Sequence, residues 1–257
     1  MLHVFRTRIK KEIVAEFVPP VRRSNKVIIL CGGMPGYPSK KELLFFLAKK
    51  GYWVFSPRYR GSWESDGSFL KKSPHIDVID VIDSLSSGFY NLWNNKKYKI
   101  KNPSVYLIGS SFGGPAAILA SQDKRVEKAV AFSPVVDWQV ETKLEPIDWM
   151  GKFTKIAFGN GYRFQQKDWN KLKNGKFYNP ITAIKDLDKN KIYLIHAKDD
   201  KVVYARTSVQ FAKKLGCKIT LLKKGGHLST TKLFNVAFWK KVSDFLENHH
   251  TNVRRTP

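Results

Sequence analysis

The sequence has two cysteines, three methionines and no uninterrupted apolar run of the length a membrane helix requires, which is roughly 18 residues. A spanning segment is thereby excluded from the reading. Cys31 and Cys217 have no partners at metal-ligand spacing, so a disulfide scaffold and a thiolate metal site are excluded as well. The expected setting is reducing and cytoplasmic. The first residues, Met1-Leu2-His3-Val4-Phe5-Arg6, lack the apolar block and small-residue cleavage site of a secretory leader, so the mature chain is expected to start there.

Acidic residues are also scarce: 21 Asp and Glu face 46 Lys and Arg, for a formal net charge of +25. Such a balance raises a nucleic-acid or anionic-surface reading. Against it stands a shortage of arginine, the residue that phosphate and base-edge recognition favours: 11 arginines accompany 35 lysines. The lysines are dispersed as pairs such as Lys10-Lys11, Lys40-Lys41 and Lys223-Lys224, which suits a solvated surface better than a binding stripe.

What the chain does contain is an alternation of strand-length apolar runs with helix-length segments, the pattern of a mostly parallel sheet covered by helices. With 257 residues, 42% hydrophobic and 26% charged, one α/β domain over residues 1–257 is expected. Edge strands are read in 2–18 and buried strands at Lys26–Cys31, Tyr52–Ser56, Val105–Ile108, Lys128–Phe132, Lys191–His196 and Lys218–Leu222. Helices are read at 40–50, 75–93, 115–121, 204–215 and 230–247, with a frayed tail over 249–257. Between 133 and 179 the rhythm breaks into an aromatic, charged stretch too long for a plain connection. It is read as an inserted lid, or else as a helical excursion packed on the core.

Chemistry centres on Gly109-Ser110-Ser111-Phe112-Gly113. A serine hydroxyl is a weak nucleophile unless it is exposed beside a base and faced by oxyanion donors. A Gly-x-Ser-x-Gly turn between strand and helix exposes it, with glycine where the backbone crowds. Ser111 has the required flanks and Ser110 does not. The order serine, acid, histidine then points to His227, after Gly225-Gly226 and before the last helix. Asp200 and Asp199 lie together on the preceding strand's loop, with Asp199 the alternative acid or a helix cap, and Asp137 a more distant third. Oxyanion donors are expected from the amide of Phe112 and from the glycine-rich loop Cys31-Gly32-Gly33-Met34-Pro35-Gly36-Tyr37. There Met34 is the first candidate and Gly33 the second. Substrate-binding candidates are Tyr37, Trp138 and Trp149. No His, Cys or carboxylate cluster has metal spacing, and no metal or cofactor is expected.

These motifs resemble those of the α/β-hydrolase fold, and within it the chain is similar to catalytic domains of prolyl-oligopeptidase-like enzymes and their microbial carboxylesterase relatives. The matching segments are Gly33 to Gly36, Arg58 to Gly67, Gly109 to Gly114, His196 to Val203, and Gly226-His227. The resemblance places the acid four residues after a histidine, which selects Asp200 over Asp199. The chain departs from the family pattern at Gly32, Trp63 and Ala197, where many relatives have histidine, glycine and glycine. No propeller domain is read before the core, so access to the site would fall to the lid.

The expectation is a serine hydrolase acting on carboxylic esters through an acyl-enzyme, with a small-peptide or acylaminoacyl peptidase as the alternative. A second alternative is a basic binding module on a hydrolase fold. The expected partner is a small ester or short peptide, not nucleic acid.

Overall fold

The computed structural model describes residues 2–38, 40–140 and 142–248. Its centre is an eight-stranded sheet. The chain opens with a hairpin of β1 (Phe5–Ile9) and β2 (Ile13–Val18), followed by β3 (Lys26–Cys31), helix α1 (Lys41–Lys49), β4 (Trp53–Pro57) and α2 (Pro74–Ser87). A short hairpin, β5 (Phe89–Tyr90) with β6 (Lys97–Tyr98), leads into β7 (Ser104–Ser110), α3 (Gly113–Ala120) and β8 (Val126–Phe132). After α4 (Ile147–Phe158) and the single turn α5 (Gln166–Trp169) come β9 (Ile192–Ala197), α6 (Ala205–Leu215), β10 (Lys218–Leu222) and α7 (Val236–Glu247).

Strand order is β1-β2-β4-β3-β7-β8-β9-β10. From β4 to β10 every pairing is parallel, and the antiparallel hairpin of β1 and β2 closes one edge. This is the α/β-hydrolase fold. The chain passes from β3 outward to β4 and later returns to the other side of β3 as β7, so the order reverses there. At such a switch point the loops leaving two neighbouring strands diverge and open a crevice at their carboxyl ends.

Alternation along the strands splits the core. In β3, Val27, Ile29 and Cys31 join the cluster under α2 and α3, while Ile28 and Leu30 join the one under α1 and α7. Both faces being covered explains why the run from Val27 to Leu30 is continuously apolar.

Two expected helices end differently in the structure. The segment read as helix 75–93 stops at Ser87, because Gly88 takes φ 110°, and Phe89 and Tyr90 pair as a strand with Tyr98 and Lys97. The helix read as 230–247 divides at Asn235, whose side chain accepts the Phe238 amide at 3.1 Å and caps α7, leaving Thr230–Phe234 as a 3-10 turn. Over 133–140 and 142–179 the chain packs onto the core: Trp138, Trp169 and Tyr178 are buried in the same cluster as Phe112, and α4 turns Ile147, Met150 and Gly151 inward. Residues 249–257, read from sequence as a frayed tail, lie outside the described residues.

Candidate active site

Strand β7 delivers Ser111 to the switch point, and the turn that follows leaves no room for side chains. A Cβ on Gly109 would fall 2.3 Å from the Gly113 carbonyl oxygen, and one on Gly113 only 2.1 Å from that of Cys31. Ser111 itself takes φ 52°, a left-handed conformation that costs a non-glycine residue about 1–3 kcal/mol. Main-chain bonds hold it there. The Ser111 amide donates to Phe132 O at 2.9 Å, and its carbonyl accepts from Gly114 N at 2.9 Å and Val135 N at 3.3 Å.

The acid loop after β9 presents Asp200, with its carboxylate fully buried and fully engaged. Oδ1 accepts the amides of Val202 and Val203 at 2.9 and 3.0 Å. Oδ2 accepts His227 Nδ1–H at 2.9 Å and His196 Nε2–H at 3.1 Å. Burial pushes this carboxyl upward, but the bonds from His196, His227 and Val203 outweigh it and hold it far below the ordinary range. His196 Nε2 also faces the Val203 carbonyl at 2.9 Å, so that nitrogen carries the proton and Nδ1 accepts from Ser208 Oγ at 2.8 Å.

Asp199 turns to the opposite strand's loop. Its carboxylate accepts the amides of Gly225 and Gly226 at 3.2 and 2.9 Å, which fixes the residues just before His227 and lowers its own pKa. Ser133 Oγ accepts the Leu228 amide at 3.0 Å on the other side. Asp137 lies apart from this network, accepting from Gln139 N and Asn179 Nδ2.

Ser111 and His227 line one open cleft together with Met34 and Glu145, and from Ser111 a chamber continues between Trp138, Ile147, Met150 and Val203. The loop after β3 runs close beneath Ser110, where a Cβ on Gly33 would stand 3.2 Å from the Ser110 carbonyl. Among the described residues neither the Met34 amide nor the Phe112 amide donates to a protein acceptor, which leaves two N–H groups available beside Ser111.

Of the substrate-binding candidates, Trp138 is buried in the chamber wall, its indole N–H donating to Tyr178 O at 2.8 Å. Tyr37 is 78% exposed at the cleft rim, its ring 5.8 Å from those of Trp63 and Phe158. Trp149 is not brought to either cavity. It stands 47% exposed on the outer side of α4, stacked on Phe153 at 5.0 Å. Sequence reasoning missed Glu145 and Lys40, both on the cleft wall. No local motif marks either; their place depends on the path of the surrounding loops.

A strained serine at a switch point, a buried carboxylate holding a histidine on the same cleft and two unspent amides define a serine hydrolase of the α/β class. Residues 38–252 match the prolyl oligopeptidase family, and the chain belongs to it. Among solved structures it is similar to the Pyrococcus furiosus esterase Pf2001, with TM-score 0.68 and 18% identity, covering 96% of this chain and 90% of that one. It is also similar to a Pyrococcus horikoshii acylaminoacyl peptidase, with TM-score 0.65 and 19% identity, covering 97% of this chain and 42% of the peptidase. A third is the α/β hydrolase GrgF of Penicillium, with TM-score 0.66 and 15% identity, covering 97% and 99%. These likenesses carry the fold. No curated protein sequence matches.

Proposed function

We propose that the protein hydrolyses carboxylic esters of small to medium acyl groups. Ser111 Oγ attacks the scissile carbonyl while His227 takes its proton, with Asp200 holding the imidazole tautomer through Nδ1. The amides of Met34 and Phe112 receive the oxyanion. His227 then passes the proton to the leaving alcohol, and water repeats the sequence to release the acid. The observation that carries this reading is the His227–Asp200 bond at 2.9 Å on the cleft that also holds Ser111. The choice of ester rests on the chamber next to Ser111, whose walls of Val135, Trp138, Val140 and Ile147 offer an acyl chain apolar contact. Residues 133–179 act as the cap of one hydrolase domain, and a reducing cytoplasm suits the free, buried Cys31 and Cys217. No helix among the described residues is long and apolar enough to cross a membrane.

Glu145 favours a second reading. This carboxylate lines both cavities, and burial holds its pKa above the ordinary value against the opposing pull of His227. In that reading it pairs with a substrate ammonium, as an aminoacyl peptidase would require. A fluorophosphonate probe and a paired panel test both: the wild type is expected to be labelled and to hydrolyse p-nitrophenyl acetate and butyrate, and Ser111→Ala to do neither. Turnover of aminoacyl-naphthylamides without turnover of the esters makes the peptidase reading the correct one. Absent labelling with salt-sensitive nucleic-acid binding leaves the basic binding module.

A further inference from the structure

Lys40 precedes α1, and its side chain borders two spaces. One is the open cleft that holds Ser111 and His227. The other is a neighbouring pocket bounded by Gly33, Tyr37, Arg58 and Trp63. Gly33, Gly36, Tyr37 and Lys40 belong to the walls of both, so the cavity adjoins the cleft at the lysine.

The cation there has no counter-charge. Among the described residues no carboxylate forms an ion pair with Lys40, and no acceptor receives its ammonium protons. The other cation of the cavity, Arg58, is already matched: its guanidinium meets Glu16 at 3.0 Å and Glu64 at 3.0 Å. Hydroxyls at hand are engaged with main-chain carbonyls, Tyr59 donating to Gly32 O at 3.1 Å and Tyr162 to Gly36 O at 3.3 Å. Glu145, the carboxylate on the wall of the same cleft, interacts with His227 and Asp200 and not with Lys40. Burial accordingly holds the Lys40 ammonium below its ordinary pKa, with no carboxylate to restore it.

In a chain with 46 basic side chains, most of them free to extend into solvent, Lys40 is half-buried on the wall of the cleft that holds Ser111 and His227 and has no carboxylate partner. A ligand anion in the cleft would supply that partner through a charge-assisted bond. We propose that Lys40 is the anion-recognition residue of the cleft, and that the substrate carries a carboxylate which reaches Lys40 while its scissile carbonyl stands at Ser111. This deepens the esterase reading and rests on it for the reacting bond. The ammonium makes a charge-assisted contact to the carboxylate and takes no part in proton transfer.

Two matched ester pairs test the proposal and separate the two places the carboxylate can occupy. For the leaving group, 4-butyryloxybenzoate is compared with its methyl ester; for the acyl group, p-nitrophenyl hemiglutarate with p-nitrophenyl butyrate. In at least one pair the acid is expected to have the higher kcat/KM. Lys40→Gln should lower kcat/KM for that acid about tenfold or more, mostly through KM, the size of one lost charge-assisted bond. It should leave the neutral partner within about twofold, a change too small to represent a lost contact. Lys41→Gln, an exposed neighbour, controls for the general field of the basic surface and should leave the preference in place. The proposal is overturned if neither acid is preferred, if Lys40→Gln depresses acid and neutral ester alike, or if Lys41→Gln has the same effect. Calorimetry on the Ser111→Ala protein with both acids, 4-butyryloxybenzoate and p-nitrophenyl hemiglutarate, separates this from the esterase reading. Lys40-dependent binding without turnover by the wild type upholds the anion site and sinks the esterase, while turnover without Lys40-dependent binding does the reverse.

Discussion

Asp200 receives four donors on two oxygens, and asparagine in its place can satisfy them only in part. Its amide nitrogen must either face the Val202 and Val203 amides or face the two imidazoles, donor against donor. On the proposed assignment Asp200→Asn leaves His227 in the wrong tautomer, and kcat should fall by a factor on the order of 10⁴, read with p-nitrophenyl butyrate. Stability carries a second signature. Because the folded pKa lies below the unfolded one, the ionised carboxylate stabilises the fold fully above the ordinary aspartate value of about 4 and loses that contribution as pH falls toward the depressed value. Denaturant melts should therefore show a gap between wild type and Asp200→Asn that is constant at neutral pH and narrows in acid. A gap that widens in acid would contradict the assignment. Gly113→Ala is the severe change at the elbow, since its Cβ would collide with Cys31 O. A loss of about 3 kcal/mol or more is expected in urea unfolding.

Helix α4 sets the chamber's shape from one side. Ile147 and Met150 line the chamber, and Gly151 lies against the buried Trp169, whose indole a Cβ would approach to 2.7 Å. Gly151→Ala should push the helix away from Trp169 and shift the acyl-length optimum while fluorophosphonate labelling of Ser111 persists. An unchanged length profile would mean that α4 does not bound the acyl site. This element also marks where sequence stops being legible. β3 and β7 are legible because their constraint is local: an unbroken apolar run of strand length suits a strand covered on both faces. Ser111 and His227 follow from turn chemistry and chain order, while Asp200 is separated from Asp199 only by the family resemblance. By contrast the apolar pattern carries the helix after His75 too far, since Phe89 continues it and only the conformation of Gly88 ends it. Sequence marks Trp149 for the cleft only as an aromatic of an aromatic-rich segment. Its direction depends on which face of α4 meets the core, and Ile147, Met150 and Gly151 take that face.

Across the whole molecule, a charge of +25 acts as self-repulsion that salt can screen. The screening length shortens from about 30 Å at 0.01 M salt to about 10 Å at 0.1 M, so the melting temperature should rise over that range. Buried pairs are exempt. Arg60 bonds Asp77, Asp80 at 2.7 Å and Glu12 at 2.5 Å, tying the β1–β2 turn, the loop after β4 and α2 into one knot. Arg60→Met strands Asp77 in the interior and should cost about 3–5 kcal/mol, with little relief from salt.

The elbow differs in kind from every other part of the site. At Gly109 and Gly113 it is specified by side chains that are missing beside main-chain atoms, and at Ser111 by three main-chain bonds. Nothing in that specification reads the identity of the residues around it. A lineage can therefore exchange its pocket, its rim and even the sign of its surface while inheriting the turn unaltered, and novelty accumulates in front of a reaction centre that mutation seldom has occasion to revise.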